Sequence, residues 1–108
     1  MLEDRAEIKF LSEPSSDYYS NYWLTTLTIA PDSGFSSEQL RLALLEENIE
    51  SRPLWKPMHK QPVFKSYPYY GDHLSELFFE QGICLPSGSN LGKKELDRIE
   101  AKIISIFD

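Results

Sequence analysis

The stretch YWLTTLTIAPDSGFSSEQLRLALLEEN, residues 22–48, changes from a strand pattern to a helix pattern within a few residues. Its first part is rich in threonine and aromatic residues and stops at Pro31, which predicts a strand with one well-buried face. Ser36 opens the second part and Gln39 follows three residues later, so the two can form a capping box at a helix N-terminus. Asn48 is suited to end this helix.

The same alternation of short strands and helices continues on both sides of this stretch. EIKFL at residues 7–11 predicts a short edge strand, and ICLP at residues 83–86 predicts a compact buried strand. Helix patterns cover LSELFFEQ at residues 74–81, with Gly82 as a stop signal, and KKELDRIEAKIISIF at residues 93–107. These segments are too short for a doubly wound nucleotide-binding domain. We therefore expect an α+β fold, in which helices pack on one face of a small, largely antiparallel sheet.

Length and composition restrict the possible partners. The 108 residues suffice for one domain, and 41% hydrophobic with 26% charged residues is typical of a globular protein. A net charge of −6 argues against a nucleic-acid partner, because a phosphate backbone requires clustered lysine and arginine. No signal peptide is visible, and no segment approaches the ~20 apolar residues of a membrane span. We expect a cytoplasmic protein that binds neither nucleic acid nor membrane.

Cysteine and histidine are scarce, which limits the chemistry that the chain can offer. Cys84 is the single cysteine, and its apolar neighbours indicate a buried side chain rather than a nucleophile. His59 and His73 are the two histidines, and the sequence shows no further ligands at metal-site spacing. The stretch SGSNLG at residues 87–92 predicts a turn before a helix, with Asn90 as its cap. We predict no catalytic residue, no metal site and no cofactor-binding residue in this chain.

The stretch SRPLWKPMHKQPVF, residues 51–64, is called the proline arm below. Its three prolines restrict the backbone to extended geometry, so we expect a stiff, irregular segment that presents side chains. In a polyproline helix, residues three apart share an edge, which would place Lys56 beside His59 and Arg52 beside Trp55. The residues alone leave two interpretations open. The arm either binds a ligand or forms a packed wall that seals a domain interface.

Four residues of the proline arm are candidate ligand contacts. Arg52 and Lys56 can pair with phosphate or carboxylate groups. Trp55 can stack on a ring or fill an apolar pocket. His59 can donate one hydrogen bond and accept another, which suits a sugar hydroxyl.

Several motifs together resemble the C-terminal domain of the DegT/DnrJ/EryC1/StrS aminotransferases. The resemblance runs from about Tyr22 to Ile104 and is carried by SRPLWKPMHKQPVF, GICLPSGSNL and the LDRI segment of the last helix, with support from NYWLTTLTI and EENIESRPLW. It implies that residues 21–108 form the small C-terminal domain of a fold type I aminotransferase. Residues 1–20 are then a lead-in whose boundary the sequence does not define.

The resemblance also implies an activity for the parent protein. Members of this family are pyridoxal-phosphate enzymes that aminate keto sugars carried on nucleotides. The similarity to exopolysaccharide and pilin-glycan enzymes implies a UDP-4-keto-6-deoxy sugar, an amino-acid donor and a homodimer. In the family a large N-terminal domain binds the cofactor, and its motifs are not found in these 108 residues. We therefore expect a fragment that binds no pyridoxal phosphate and has no activity by itself.

The family resemblance assigns the proline arm to the mouth of the active site. It implies that Arg52, Trp55, Lys56 and His59 bind the nucleotide sugar. The alternative is a free-standing protein-interaction module, in which the same aromatic and proline-rich arm docks another protein.

Overall fold

The computed structural model describes residue 2 and residues 4–107, so Met1, Glu3 and Asp108 lie outside the described residues. The described part contains one four-stranded antiparallel sheet and three α-helices, which confirms the α+β fold class. In chain order the elements are β1 (Ile8–Phe10), β2 (Thr25–Ile29), α1 (Ser37–Glu46), β3 (Arg52–Pro53), α2 (Leu74–Gln81), β4 (Gly82–Leu85) and α3 (Lys93–Phe107). Short 3₁₀ turns lie at Pro31–Ser33, Met58–Lys60 and Pro62–Phe64.

The sheet has the strand order β1-β2-β4-β3, and its two central strands carry the core. All four residues of β4 are buried, as the sequence predicted for this strand. Leu27 of β2 lies opposite Ile83 of β4 on one side and opposite Phe10 of β1 on the other. Leu27 and Ile83 are 0% and 1% exposed. The predicted edge strand is β1, which pairs with β2 in the same sheet. The division of the chain at residue 20 stays a prediction.

The first helix begins and ends where the sequence predicted. The Ser36 side chain accepts the backbone N–H of Gln39 at 3.2 Å, and the Gln39 side chain accepts that of Ser36 at 2.8 Å. Asn48 follows the helix with a φ of 56°, the left-handed conformation that asparagine tolerates. Leu40 and Leu44 lie in the core, so α1 buries one face against the sheet.

The last helix packs against α1 and begins differently from the prediction. Ile103 is buried in the core, and the Phe107 ring meets the Phe35 ring edge-on at 5.1 Å. The Glu95 carboxylate accepts the backbone N–H of Gly92 at 3.1 Å, so the cap at this end comes from inside the helix. The sequence predicted Asn90 as the cap of α3, and this is wrong. The hydrogen bond at the helix start is made by Glu95, because Gly92 and not Asn90 immediately precedes the first turn.

Helix α2 passes into β4 without a loop, and Gly82 makes this possible. A Cβ atom at Gly82 would come 2.4 Å from the carbonyl oxygen of Phe78 and 2.2 Å from Leu54 Cδ1. Only glycine leaves room for this close approach. Because Gly82 has no side chain, Leu54 packs directly against the start of β4. This packing fixes the beginning of the proline arm on the sheet. Among the described residues, no helix has the length and apolar character that crossing a membrane requires.

Candidate functional site

The proline arm starts as strand β3 at the sheet edge and ends in two 3₁₀ turns. The predicted polyproline repeat is therefore wrong from residue 58 onwards. The cause is local hydrogen bonding, because the N–H groups of Lys60 and Gln61 donate to the carbonyls of Pro57 and Met58 at 3.0 Å each. The chain turns at this point and separates the candidate residues into two places.

The first place is a cleft of about 600 Å³ beside the paired rings of Trp23 and Trp55, called the tryptophan cleft below. The two ring centroids lie 6.1 Å apart, with a tilt of 44° between the planes. Both side chains are about two-thirds exposed, at 68% and 66%. The cleft is also lined by Ser51 and Arg52 and by the chain leaving β4, including Cys84, Pro86, Ser87 and Gly88.

The tryptophan cleft contains a buried polar atom that has no partner among the described residues, the hydroxyl oxygen of Ser51. An unpaired buried hydroxyl costs about 1–3 kcal/mol, and because this oxygen is shielded from solvent, a ligand in the open cleft does not reach it without a rearrangement. The Ser87 hydroxyl is already engaged, since it accepts the N–H of Thr25 at 2.7 Å and donates to the carbonyl of Leu85 at 2.8 Å. Ser87 therefore fixes the wall of the cleft.

Arg52 at the tryptophan cleft forms an exposed ion pair with Glu50. The guanidinium of Arg52 donates through Nε to the Glu50 carboxylate at 2.8 Å, and both side chains are largely exposed. Exposed pairs of this kind contribute little to stability, so Arg52 can exchange Glu50 for a phosphate of a ligand at small cost.

Cys84 lies buried beside the cleft, as its apolar neighbours predicted. Burial raises the pKa of its thiol above the usual value. The thiol therefore stays protonated near neutral pH, which argues against a nucleophilic role.

The second place is a group of polar and aromatic side chains where the proline arm meets helix α2. We call it the histidine cluster, and it consists of His59, Lys60, Tyr69, His73 and Glu76. Glu76 is its centre, because one carboxylate oxygen lies 2.8 Å from His59 Nε2 and 2.5 Å from His73 Nδ1. The other oxygen lies 2.7 Å from Lys60 Nζ. The ring of His59 stacks on Tyr69, with centroids 3.8 Å apart.

The ionised Glu76 carboxylate is stabilised by its neighbours in the histidine cluster. The Lys60 ammonium, then His73 and His59, lower the pKa of the Glu76 carboxyl to about 2. The same contact raises the pKa of Lys60. Glu76 is thus ionised at neutral pH and accepts from three donors. No motif in the sequence pointed to Glu76, although its position three residues after His73 places the two on one face of the first turn of α2.

The structure separates the four candidate residues of the proline arm. Arg52 and Trp55 line the tryptophan cleft. His59 belongs to the histidine cluster, with only 17% of its side chain exposed. Lys56 is exposed on the segment between the two places, and its carbonyl accepts the Gln61 side chain at 3.4 Å. The cleft also includes Trp23, whose position far from the arm in sequence gave no sign of this pairing.

Acid is expected to weaken the fold through Glu76. Its pKa is about 2 in the folded chain against an ordinary value of 4.5, so the unfolded chain binds more protons between these values. The contribution of the carboxylate is complete above the ordinary value and is lost as the pH falls towards 2. Glu76→Gln removes this titration. Its free energy of unfolding, measured with urea at a series of pH values, should fall less steeply in acid than that of the wild-type chain.

Glu80→Gln on the next turn of α2 is the matched control for this experiment. It should keep the acid dependence of the wild-type chain, because Glu80 is outside the histidine cluster. Equal acid dependence of the wild type and Glu76→Gln would contradict the ionised, three-donor arrangement of Glu76.

Comparison with known proteins gives one family and several relatives. The chain matches the model of the DegT/DnrJ/EryC1/StrS aminotransferase family over residues 1–104. It is 42% identical over 104 residues to EpsN of Bacillus subtilis (strain 168), which is named "Putative pyridoxal phosphate-dependent aminotransferase". This match covers 93% of the chain and 26% of the relative. GDP-perosamine synthase of Escherichia coli O157:H7 is 30% identical over 82 residues, with 76% of the chain and 22% of the relative covered.

Solved structures of aminotransferases share the fold. The aminotransferase TlmJ from Streptoalloteichus hindustanus superposes with a TM-score of 0.78 at 13% identity, covering 96% of the chain and 27% of that structure. PseC of Helicobacter pylori, an aminotransferase involved in the biosynthesis of pseudoaminic acid, gives 0.74 at 16% identity, with 98% and 29% covered. The chain spans about a quarter of the length of the curated relatives it matches.

Proposed function

Because the chain belongs to the DegT/DnrJ/EryC1/StrS aminotransferase family, we propose that it is the C-terminal small domain of an enzyme that aminates a nucleotide-linked keto sugar. The substrate is a UDP-4-keto-6-deoxy sugar used in polysaccharide or glycan biosynthesis, and the nitrogen comes from an amino-acid donor. The name of the relative GDP-perosamine synthase supports a nucleotide-linked sugar as the substrate class. The observation that carries the proposal is the tryptophan cleft, where two exposed rings and a cation converge.

Each group in the tryptophan cleft matches one part of a nucleotide sugar. Trp55 and Trp23 offer ring faces on which the base stacks, and such stacking contributes about 1–3 kcal/mol per base. Arg52 pairs with the diphosphate, because a guanidinium binds phosphate oxygens in a bidentate manner.

His59 and Lys56 extend this binding surface beyond the cleft. His59 turns Nε2 towards Glu76, which leaves Nδ1 for a sugar hydroxyl. Lys56 is exposed and flexible, and it can reach a phosphate as a point charge. The four arm residues thus act as substrate contacts, while the chain supplies no catalytic group.

The cofactor of this family, pyridoxal phosphate, does not fit the residues that the chain offers. A fold type I aminotransferase needs a lysine at the cofactor, and none of the residues that line the tryptophan cleft is a lysine. We propose that the cofactor is bound by a part of the enzyme outside these 108 residues. The chain by itself is then inactive.

Exposed aromatic side chains indicate which face the rest of the enzyme covers. They are concentrated in residues 18–23 and 55–70, and those with the largest exposed fractions are Tyr18, Tyr19, Tyr22, Trp23, Trp55, Tyr67 and Tyr70. Many exposed apolar rings in two short segments are typical of an interaction site. We propose that the exposed tyrosines pack against the cofactor-binding domain in a cytoplasmic homodimer, while Trp23 and Trp55 stay open to the nucleotide sugar. A free-standing protein-interaction module is the second candidate, since it would use the same exposed rings.

Assays of the intact gene product beside the 108-residue chain test this proposal. Each is supplied with a UDP-4-keto-6-deoxy sugar, glutamate and pyridoxal phosphate, and the amino sugar is measured. We expect the intact protein to produce the amino sugar and the chain alone to produce none. Turnover by the chain alone would refute its inactivity, and no turnover by the intact protein with any nucleotide-linked keto sugar would favour the interaction module.

A further inference from the structure

We propose that the histidine cluster is a binding site for a borderline divalent cation such as Zn²⁺, with His59 Nε2, His73 Nδ1 and one carboxylate oxygen of Glu76 as ligands. The site lies apart from the tryptophan cleft. The ion would bind His59 Nε2, the nitrogen that faces Glu76. The proposed function uses Nδ1 of the same ring, so the metal site does not depend on it.

The three ligand atoms already converge. They lie within 4.8 Å of one another, and both ring nitrogens approach the same oxygen, at 2.8 and 2.5 Å. Zinc binds nitrogen and carboxylate oxygen at about 2.0–2.2 Å, so tetrahedral ligand atoms lie roughly 3.3 Å apart. To admit the ion, each ring nitrogen has to move away from the oxygen by less than about 1 Å, and the two nitrogens, up to 4.8 Å apart, have to approach each other by up to about 1.5 Å.

Surrounding groups hold the ligands in this orientation. His73 has a φ of 62°, a left-handed conformation that costs energy in a non-glycine residue, and its backbone N–H donates to the Tyr69 hydroxyl at 3.2 Å. The same Tyr69 ring stacks on His59. Lys60 occupies the second oxygen of Glu76, which leaves the first for the ion. Metal ligands are typically fixed by such outer hydrogen bonds and stacking contacts.

The donor set and the exposure determine the kind of ion and of site. Two imidazoles and a carboxylate favour zinc, cobalt or nickel over magnesium and calcium, which prefer oxygen ligands. The side chain of His73 is 67% exposed, so water can complete the coordination shell. Binding requires a bare lone pair on each ring nitrogen that now faces Glu76. Acid, which protonates imidazole, should therefore release the ion.

Calorimetric titration of the metal-free 108-residue chain with Zn²⁺ near neutral pH tests this site, and Co²⁺ absorption reports its geometry. We expect one ion per chain, a higher Tm with zinc, and no competition from excess Mg²⁺. Glu76→Gln should weaken the affinity by at least the ~10- to 100-fold that is typical of disturbed metal sites. His73→Asn should do the same while keeping the left-handed backbone, since asparagine tolerates it.

Glu80→Gln is the matched control on the same helix and should bind Zn²⁺ as the wild type does. Circular dichroism verifies that each variant is folded before titration. Absence of saturable Zn²⁺ binding to the wild-type chain overturns the proposal. Binding that Glu76→Gln and His73→Asn both retain overturns it equally, because the ion would then lie elsewhere.

Discussion

Replacing Leu27 with alanine is expected to lower the free energy of unfolding by about 2–5 kcal/mol, the range for buried leucines. Leu27 is 0% exposed and lies between Phe10 and Ile83 in the two neighbouring strands. Its removal would leave a cavity in the centre of the sheet, which the rigid strands cannot fill by moving. Urea unfolding of the 108-residue chain measures the effect. A domain of this size has a total stability of only about 5–15 kcal/mol, so the loss is large.

Leu42→Ala is the matched control for the core. Leu42 is 46% exposed on α1, so its truncation should cost less than about 1 kcal/mol. Equal losses for Leu27→Ala and Leu42→Ala would contradict the assignment of Leu27 to the core, and with it the register of β2 between β1 and β4.

Replacing Trp55 with alanine in the intact enzyme is expected to weaken binding of the nucleotide sugar by about 1–3 kcal/mol, the contribution of one ring that stacks on a base. This corresponds to a rise of roughly 5- to 150-fold in KM. The value of kcat should change little, because a base far from the reacting carbon is bound equally in the ground state and the transition state. Steady-state kinetics with varied nucleotide sugar separates the two parameters.

Trp55→Phe keeps a ring at the same place and should recover most of the affinity. Leu42→Ala, on the exposed side of α1, should leave both parameters unchanged. A Trp55→Ala enzyme with unaltered KM would show that the ring does not contact the substrate. The arm would then act as the packed wall that the sequence alone left open.

Local signals in the sequence predicted the elements that depend on neighbouring residues. The capping box of Ser36 and Gln39, the helix end at Asn48 and the stop at Gly82 all lie where they were expected. Each of these features needs only residues within about one turn of the chain. The buried strand β4 was also predictable, because a short run of apolar side chains ending at a proline leaves few alternatives.

Features that depend on distant residues could not be predicted in the same way. Trp23 and Trp55 meet only because β2 and β3 both flank β4, a pairing that neither local stretch encodes. His59 and Glu76 are 17 residues apart and meet because the chain turns at residue 58. That the prolines make the arm stiff stays a prediction. The hydrogen bonds that close its 3₁₀ turns decided its direction.

The structure of the intact enzyme with its nucleotide sugar bound tests the role of the tryptophan cleft most directly. We expect the base against the Trp55 ring within about 4 Å and the diphosphate on the guanidinium of Arg52. A ligand bound elsewhere, with the cleft filled by side chains from the rest of the enzyme, would contradict the cleft as the sugar-nucleotide site.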